Sequence, residues 1–222
     1  MSSSRSAIVR DIEDAGVIAV IRLSNGAQLR AVADALIEGG VRALEVTMTV
    51  PRAASLIEEL ASSLPSGVLI GAGTVLDPQT AADVIRAGAR FVVSPVFRPS
   101  LIERCHRLDI PVMPGGFTPT EILDAWEEGA DLVKVFPATA LGPGYLKDIR
   151  GPLPQVRLVP TGGVTRENAG DWIRAGAVAI GVGTALVDRT AVDERRFDVI
   201  TANARHFVGA VQNARGGAAV SA

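Results

Sequence analysis

Glu38-Gly39-Gly40-Val41-Arg42-Ala43-Leu44-Glu45-Val46-Thr47 carries the pattern that decides the fold. The helical periodicity of Leu29–Glu38 stops at a glycine pair, and the apolar run Ala43–Thr47 follows at once. Glycine just past a helix takes the left-handed conformation that ends it, and a short continuous apolar run reads as a buried strand. The same punctuation recurs as Ala87-Gly88-Ala89, Glu128-Gly129-Ala130 and Ala175-Gly176-Ala177. Five residues after Gly40, Gly88, Gly129 and Gly176 stand Glu45, Val93, Lys134 and Gly181.

Outward from that stretch, strand-like runs fall at Val17–Ile21, Ala43–Thr47, Val68–Gly71, Phe91–Ser94, Val112–Pro114, Leu132–Val135, Val156–Val159 and Ala179–Val182. Helical patterns alternate with them at Leu29–Glu38, Ala53–Leu60, Thr80–Ala87, Leu101–Leu108, Thr120–Glu127 and Asn168–Arg174, and Asp193–Gln212 reads as a closing helix. Pro143, Pro152 and Pro154 leave room for only a short helix between the sixth and seventh strands. Strands alternating with helices predict an α/β chain folded as a (β/α)8 TIM barrel, with an extra N-terminal helix over Ser6–Asp14. We expect residues 1–222 to form one barrel domain, with residues 214–222 a frayed, disordered tail. In such barrels, alternate strands supply one layer of interior side chains, so Glu45 and Lys134 are expected to share a layer.

Composition narrows the function. Lys plus Arg is 22 and Asp plus Glu is 24, a net charge of −2, which supplies no basic field for nucleic acid. The longest mostly apolar stretch, Ala175–Val187, is too short and too interrupted to span a membrane. Acidic residues occupy the N-terminal region where a signal peptide would be apolar, and Cys105 is alone, so the expected compartment is the cytoplasm. His106 and His206 are separated and there is no cysteine pair, so no metal site is expected. Cys105 sits on a predicted helix, and no histidine stands near Ser94, which disfavours nucleophilic acyl transfer. No Gly-x-Gly-x-x-Gly stands at the first strand–helix turn, so a dinucleotide site is unsupported.

Of the 22 basic residues, only Lys134 and Lys147 are lysine. Arginine stays charged in proteins, whereas a lysine can work as a neutral amine. Lys134 lies inside the apolar Val133-Lys134-Val135; Lys147 follows a Pro/Gly turn and reads as a surface residue. Ionisable residues well inside a predicted strand are few, and Glu45 within Leu44-Glu45-Val46 and Arg22 at the end of Val17–Ile21 are the others singled out. A buried charge needs a partner, and a Glu–Lys pair is a weak source of stability, which favours a chemical role. Gly162-Gly163 and Gly181-Val182-Gly183-Thr184 follow the last two strands, where barrels of this kind bind phosphate. Thr49 and Thr74 end strands two and three, within reach of a ligand or of nearby backbone.

Ile18-Ala19-Val20-Ile21-Arg22, Gly39–Thr47, Gly71-Ala72-Gly73-Thr74-Val75, Ser94-Pro95, Lys134-Val135-Phe136-Pro137-Ala138 and Pro160-Thr161-Gly162-Gly163-Val164 together resemble the 2-keto-3-deoxy-6-phosphogluconate (KDPG) and 4-hydroxy-2-oxoglutarate (KHG) aldolases. The resemblance implies a class I, metal-independent lyase that needs no cofactor and assembles as a homotrimer. It makes Lys134 the Schiff-base lysine and Glu45 the general acid/base. It gives the substrate's carboxylate to Arg22 and Thr74, and its phosphate to Gly162, Gly163, Gly183 and Thr184. Thr161 would meet a sugar hydroxyl, Phe136 would shield the imine, and Pro95 belongs to a matching motif. Some members carry Arg where this chain has Thr49, with Arg22 the substitute here, and Phe117 is bulkier than the residue often found at its position. The small-molecule substrate is then a 2-keto acid phosphate, in an Entner–Doudoroff type of carbohydrate metabolism. Rival readings are an aldolase for the galactonate epimer, a phosphosugar isomerase or epimerase using Glu45 as base, and a non-catalytic barrel binding a phosphometabolite.

Overall fold

The computed structural model describes residues 4–218. Nine short strands appear among them: β1 (Val17–Ile21), β2 (Ala43–Thr47), β3 (Leu69–Gly73), β4 (Val92–Val93), β5 (Val112–Met113), β6 (Gly115–Gly116), β7 (Val133–Val135), β8 (Leu158–Pro160) and β9 (Ile180–Val182). The helices are α1 (Arg5–Ala15), α2 (Leu29–Glu38), α3 (Ala53–Ala61), α4 (Pro78–Arg86), α5 (Pro99–Arg107), α6 (Pro119–Glu127), α7 (Gly142–Arg150), α8 (Ala169–Arg174), α9 (Arg189–Asp193) and α10 (Phe197–Ala218). The repeated helix-ending glycines behave as their spacing requires: Gly40, Gly88, Gly129 and Gly176 have φ of 97°, 103°, 98° and 101°.

The strands close on themselves. One run pairs in the order β5-β4-β3-β2-β1-β9 and a second as β6-β7-β8, all parallel. β5 and β6 are one segment interrupted at Pro114, whose carbonyl accepts the Lys134 N–H at 2.9 Å. A bridge between Thr161 and Gly181 joins the end of β8 to β9. Counting β5 and β6 together, eight strand positions ring the core, the (β/α)8 topology expected from the alternation. Val17, Ile18, Ala19, Leu44, Val46, Val133, Val135 and Ile180 are all at most 1 % exposed, as strands covered on both faces must be.

α1 seals one end. Ser4 caps it, and Ile8, Val9 and Ile12 are buried. Arg5 pairs with Asp131 at 3.2 Å and Glu13 with Arg157 at 3.3 Å, both just before β7 and β8. The extra helix therefore lies against the N-terminal ends of the strands, which leaves the C-terminal rim for ligands.

Three expectations need correction. The helix between β7 and β8, α7, has nine residues, as many as α3 to α6, because Pro143 lies in its first turn, where a missing N–H costs nothing. The closing helix is two helices: Arg195 turns left-handed (φ 58°) and breaks α9 from α10. Residues 214 to 218 of the expected tail are helical, and residues 219–222 lie outside the described residues. Ala214 is buried and Arg215 donates to the carbonyls of Asp14, Glu13 and Val178, which ties the end of α10 to the barrel floor.

α10 packs closely on α2. Thr201 donates to the Ala35 carbonyl at 3.0 Å, and a Cβ on Gly39 would collide with Ala204 and sit 2.7 Å from the Thr201 carbonyl. Gly39→Ala is therefore expected to destabilise the fold by about 1–3 kcal/mol and to lower Tm by several degrees. Gly209→Ala on the same α10, with nothing within 4 Å of a new Cβ, should be neutral or slightly stabilising in the same calorimetric comparison.

Candidate active site

β2 is flanked by β1 and β3, and Glu45 is in register with Val20 on one side and Gly71 on the other. The side chain is 2 % exposed, and its Oε1 has no hydrogen-bond partner among the described residues. Gly73 makes this possible: a Cβ there would occupy the space of the Glu45 carboxylate. Burial raises the Glu45 pKa above its ordinary 4.5, and the attractions of Lys134 and then Arg22 offset this only in part.

Lys134 comes from β7, in register with Gly115 and Val159, and is 5 % exposed. Its ammonium lies 4.9 Å from the centroid of the Phe136 ring, two residues on along the same strand face. Glu45, Val93, Lys134 and Gly181 are all buried, and Lys134 acts electrostatically on Glu45, so the two charges share the interior as the repeat predicts.

Above them, at the C-terminal rim, a cleft of 190 Å³ is lined by Arg22, Phe136, Thr161, Gly162, Gly163, Gly183 and Thr184, all singled out from the sequence. Gly162 and Gly163 have φ of 88° and 70°, a backbone that other residues adopt only under strain. Asn168 holds this loop, accepting from the Thr165 N–H at 2.8 Å and donating to the Gly163 carbonyl at 2.9 Å. The backbone N–H groups of Gly162 and Gly163 have no partner among the described residues and are open to an anion. A second cavity of 410 Å³ adjoins the cleft through Arg22, Val187 and Arg189 and is lined also by Ser24, Asn25, Gln28 and Thr49. Thr49 is hydrogen-bonded to Thr47 at 2.7 Å, and Thr47 donates to the Ile21 carbonyl.

Two sequence candidates stand apart from both cavities. Thr74 is half-buried just after β3, in a left-handed conformation (φ 59°), and Pro95 is half-buried after β4. The Pro95 carbonyl fills the space where Gly115, the neighbour of Lys134, would carry a Cβ. Lys147 is exposed on α7, and Cys105 is buried, its thiol pushed up to about 12 by burial and by Asp131. His106 is bonded to Asp131 at 3.1 Å and His206 to the Arg166 carbonyl at 2.9 Å. Among the described residues, no three His, Cys, Asp or Glu side chains gather as metal ligands would, and no helix is long and apolar enough to cross a membrane. Sequence reasoning missed Arg189, together with Val164, Ala185 and Val187 in the cleft wall. The signal was Asp188, whose side chain caps α9 by accepting from the Ala191 N–H at 2.7 Å. An Asp read as an N-cap puts Arg189 first in a helix right after the β9 loop.

Fold and site thus define a barrel enzyme with a lysine and a carboxylate inside and an anion-accepting rim. Residues 8–203 match the family model described as KDPG and KHG aldolase. The chain is 38 % identical to the KHG/KDPG aldolase of Escherichia coli strain K12, over 86 % of this chain and 89 % of that one. It is 34 % identical to the 2-dehydro-3-deoxy-6-phosphogalactonate aldolase of the same strain, over 82 % and 92 %. Among solved structures, a KDPG aldolase from Legionella pneumophila, with pyruvate captured as a covalent carbinolamine, superposes with a TM-score of 0.82 at 33 % identity, covering 89 % of this chain and 96 % of that one. The chain belongs to the KDPG and KHG aldolase family, and is a carbon–carbon lyase.

The raised pKa of Glu45 has a consequence for stability. As pH rises, the unfolded chain loses this proton near 4.5, while the folded chain holds it longer. The folded state then binds more protons, so this group's contribution to stability falls above pH 4.5 and is level below it. The stability of wild type relative to Glu45→Gln should therefore decline from pH 4.5 toward neutrality in denaturant titrations, and a rising difference would contradict the burial argument.

Proposed function

We propose that this enzyme is a class I aldolase that cleaves 2-dehydro-3-deoxy-6-phosphogluconate to pyruvate and glyceraldehyde 3-phosphate, and that it also accepts 4-hydroxy-2-oxoglutarate, giving pyruvate and glyoxylate. The observation that carries this reading is the burial of Lys134 beside Glu45 beneath a phosphate-sized cleft. The Lys134 amine attacks the C2 ketone, and loss of water leaves an iminium. Glu45, directly or through a water, takes the C4 hydroxyl proton. The C3–C4 bond breaks, its electrons pass into the iminium to form an enamine, and the aldehyde leaves. Glu45 then returns the proton to C3, and water hydrolyses the imine to release pyruvate. Phe136 shields the imine from bulk water. Arg22 and Thr74 hold the carboxylate, and Gly162, Gly163, Gly183 and Thr184 take the phosphate. No metal or cofactor enters this scheme. We further propose a cytoplasmic homotrimer, a reading supported by the exposed apolar side chains Leu76, Val96 and Phe117 that follow β3, β4 and β6 at one end of the barrel.

Pyruvate with borohydride should add one covalent group per chain, at Lys134 and not at the exposed Lys147, as read by intact mass and peptide mapping. Lys134→Arg should keep the fold and abolish the adduct; labelling that persists would remove Lys134 from this role.

The galactonate-acting relative keeps an epimeric substrate in view. Thr161 is 7 % exposed and lines the cleft, so its hydroxyl can read a sugar hydroxyl beside the phosphate loops. A site built to pair one hydroxyl rejects the epimer that leaves it unpaired. Thr161→Val should narrow the kcat/KM preference for the gluconate-derived substrate by about 1–2 kcal/mol. An unchanged ratio would show that Thr161 does not read that hydroxyl.

A further inference from the structure

We propose that Arg189, at the start of α9, is a second cation of the phosphate site and makes the enzyme select phosphorylated over unphosphorylated substrates; the inference rests on the aldolase reading and deepens it. Two guanidiniums line the rim cleft, Arg22 and Arg189, and no carboxylate does. They occupy different positions. Arg22 directly follows β1, two residues beyond Val20, which is in register with buried Glu45, so it stands toward the reacting end. Arg189 follows the Gly183-Thr184 loop and borders the same cleft as the open N–H groups of Gly162 and Gly163.

Arg189 makes no ion pair or hydrogen bond with another described residue. Carboxylates are near in sequence, yet Asp188 is turned to capping α9, and Asp193, one turn on, borders the neighbouring cavity without pairing with it. Among the other exposed arginines, Arg30, Arg86, Arg107, Arg174, Arg196 and Arg205 pair with carboxylates while Arg10, Arg52, Arg98 and Arg195 make no ion pair among the described residues, so what sets Arg189 apart is its place on the cleft. A planar fork of donors kept free beside unpaired backbone N–H groups suits a group with several oxygens and two negative charges. A phosphate monoester fits that description. The shorter 4-hydroxy-2-oxoglutarate, which ends in a carboxylate, gains less from a cation at the loop end of the cleft.

The test compares wild type, Arg189→Ala and Arg189→Lys. The first readout is the ratio of kcat/KM for 2-dehydro-3-deoxy-6-phosphogluconate over 4-hydroxy-2-oxoglutarate. The ratio should fall about 10- to 100-fold in Arg189→Ala, the worth of a charge-assisted hydrogen bond, and by less in Arg189→Lys, which keeps the charge and loses the fork. The second readout is binding of inorganic phosphate by calorimetry, which needs no turnover and should weaken about 10-fold or more in Arg189→Ala. A parallel fall for both substrates, an unchanged ratio, or unchanged phosphate binding overturns the assignment. Pyruvate trapping of the wild type separates the two claims. An adduct with an unchanged ratio overturns Arg189 alone. Absence of an adduct overturns the aldolase reading, while phosphate binding still decides Arg189.

Discussion

Keeping the Glu45 carboxylate and the Lys134 ammonium inside an apolar barrel is the constraint on which the rest of the structure depends. Desolvation dominates at Glu45 even with two cations acting on it, and one carboxylate oxygen is left without a partner. Such an arrangement weakens a fold, so the surroundings have to be rigid enough to hold it. Small residues next to the pair make the room: Gly73 leaves space for the carboxylate, and Gly115 runs beside Lys134. Where that space is not needed it is filled, as the ring of Phe91 does against Gly71. At the other end α1 covers the strand N-termini with Ile8, Val9 and Ile12.

The rim obeys different physics from the interior. It mixes buried residues such as Thr161 and Val187 with half-exposed and exposed ones such as Gly162, Gly163 and Thr184, and backbone groups of its glycines are among those it presents. Loop backbone by itself is mobile, and here Asn168 bonds to both sides of the Gly162-Gly163 turn. The interior thus holds a lysine and a glutamate withdrawn from water, and the rim presents two arginines and unpaired backbone N–H groups.

Much of this was legible in the chain. The apolar runs alternating with helical patterns gave the eight strand positions, and the helix-ending glycines, at a constant offset from four of them, marked where those strands begin, because left-handed backbone and buried apolar runs are local requirements. The same offset put Glu45 and Lys134 in equivalent positions, and the rarity of lysine singled out Lys134 against Lys147. Local signals also misled where they competed. Pro143 reads as a breaker but serves in a first turn, and the periodicity of Asp193–Gln212 ran across the left-handed turn at Arg195. The C-terminal Ala/Gly composition reads as a tail, yet residues 214 to 218 extend α10, with Ala214 buried and Arg215 bonded to carbonyls of Glu13, Asp14 and Val178.

What the sequence by itself determined, then, is the order of elements and the identity of the interior charges, both of which follow from periodicity and from residue types that are rarely buried. The tertiary structure decided which groups meet. The free oxygen of Glu45 depends on the gap that Gly73 leaves on the next strand, and the anion-accepting face of Gly162 and Gly163 depends on φ angles held by Asn168. Arg189 belongs to this second group. It is an ordinary surface arginine until closure of β9 onto Thr161 at the end of β8 brings the Gly183 loop, and with it the start of α9, to the edge of the cleft. No local pattern encodes that meeting, because it depends on contacts between segments far apart in the chain.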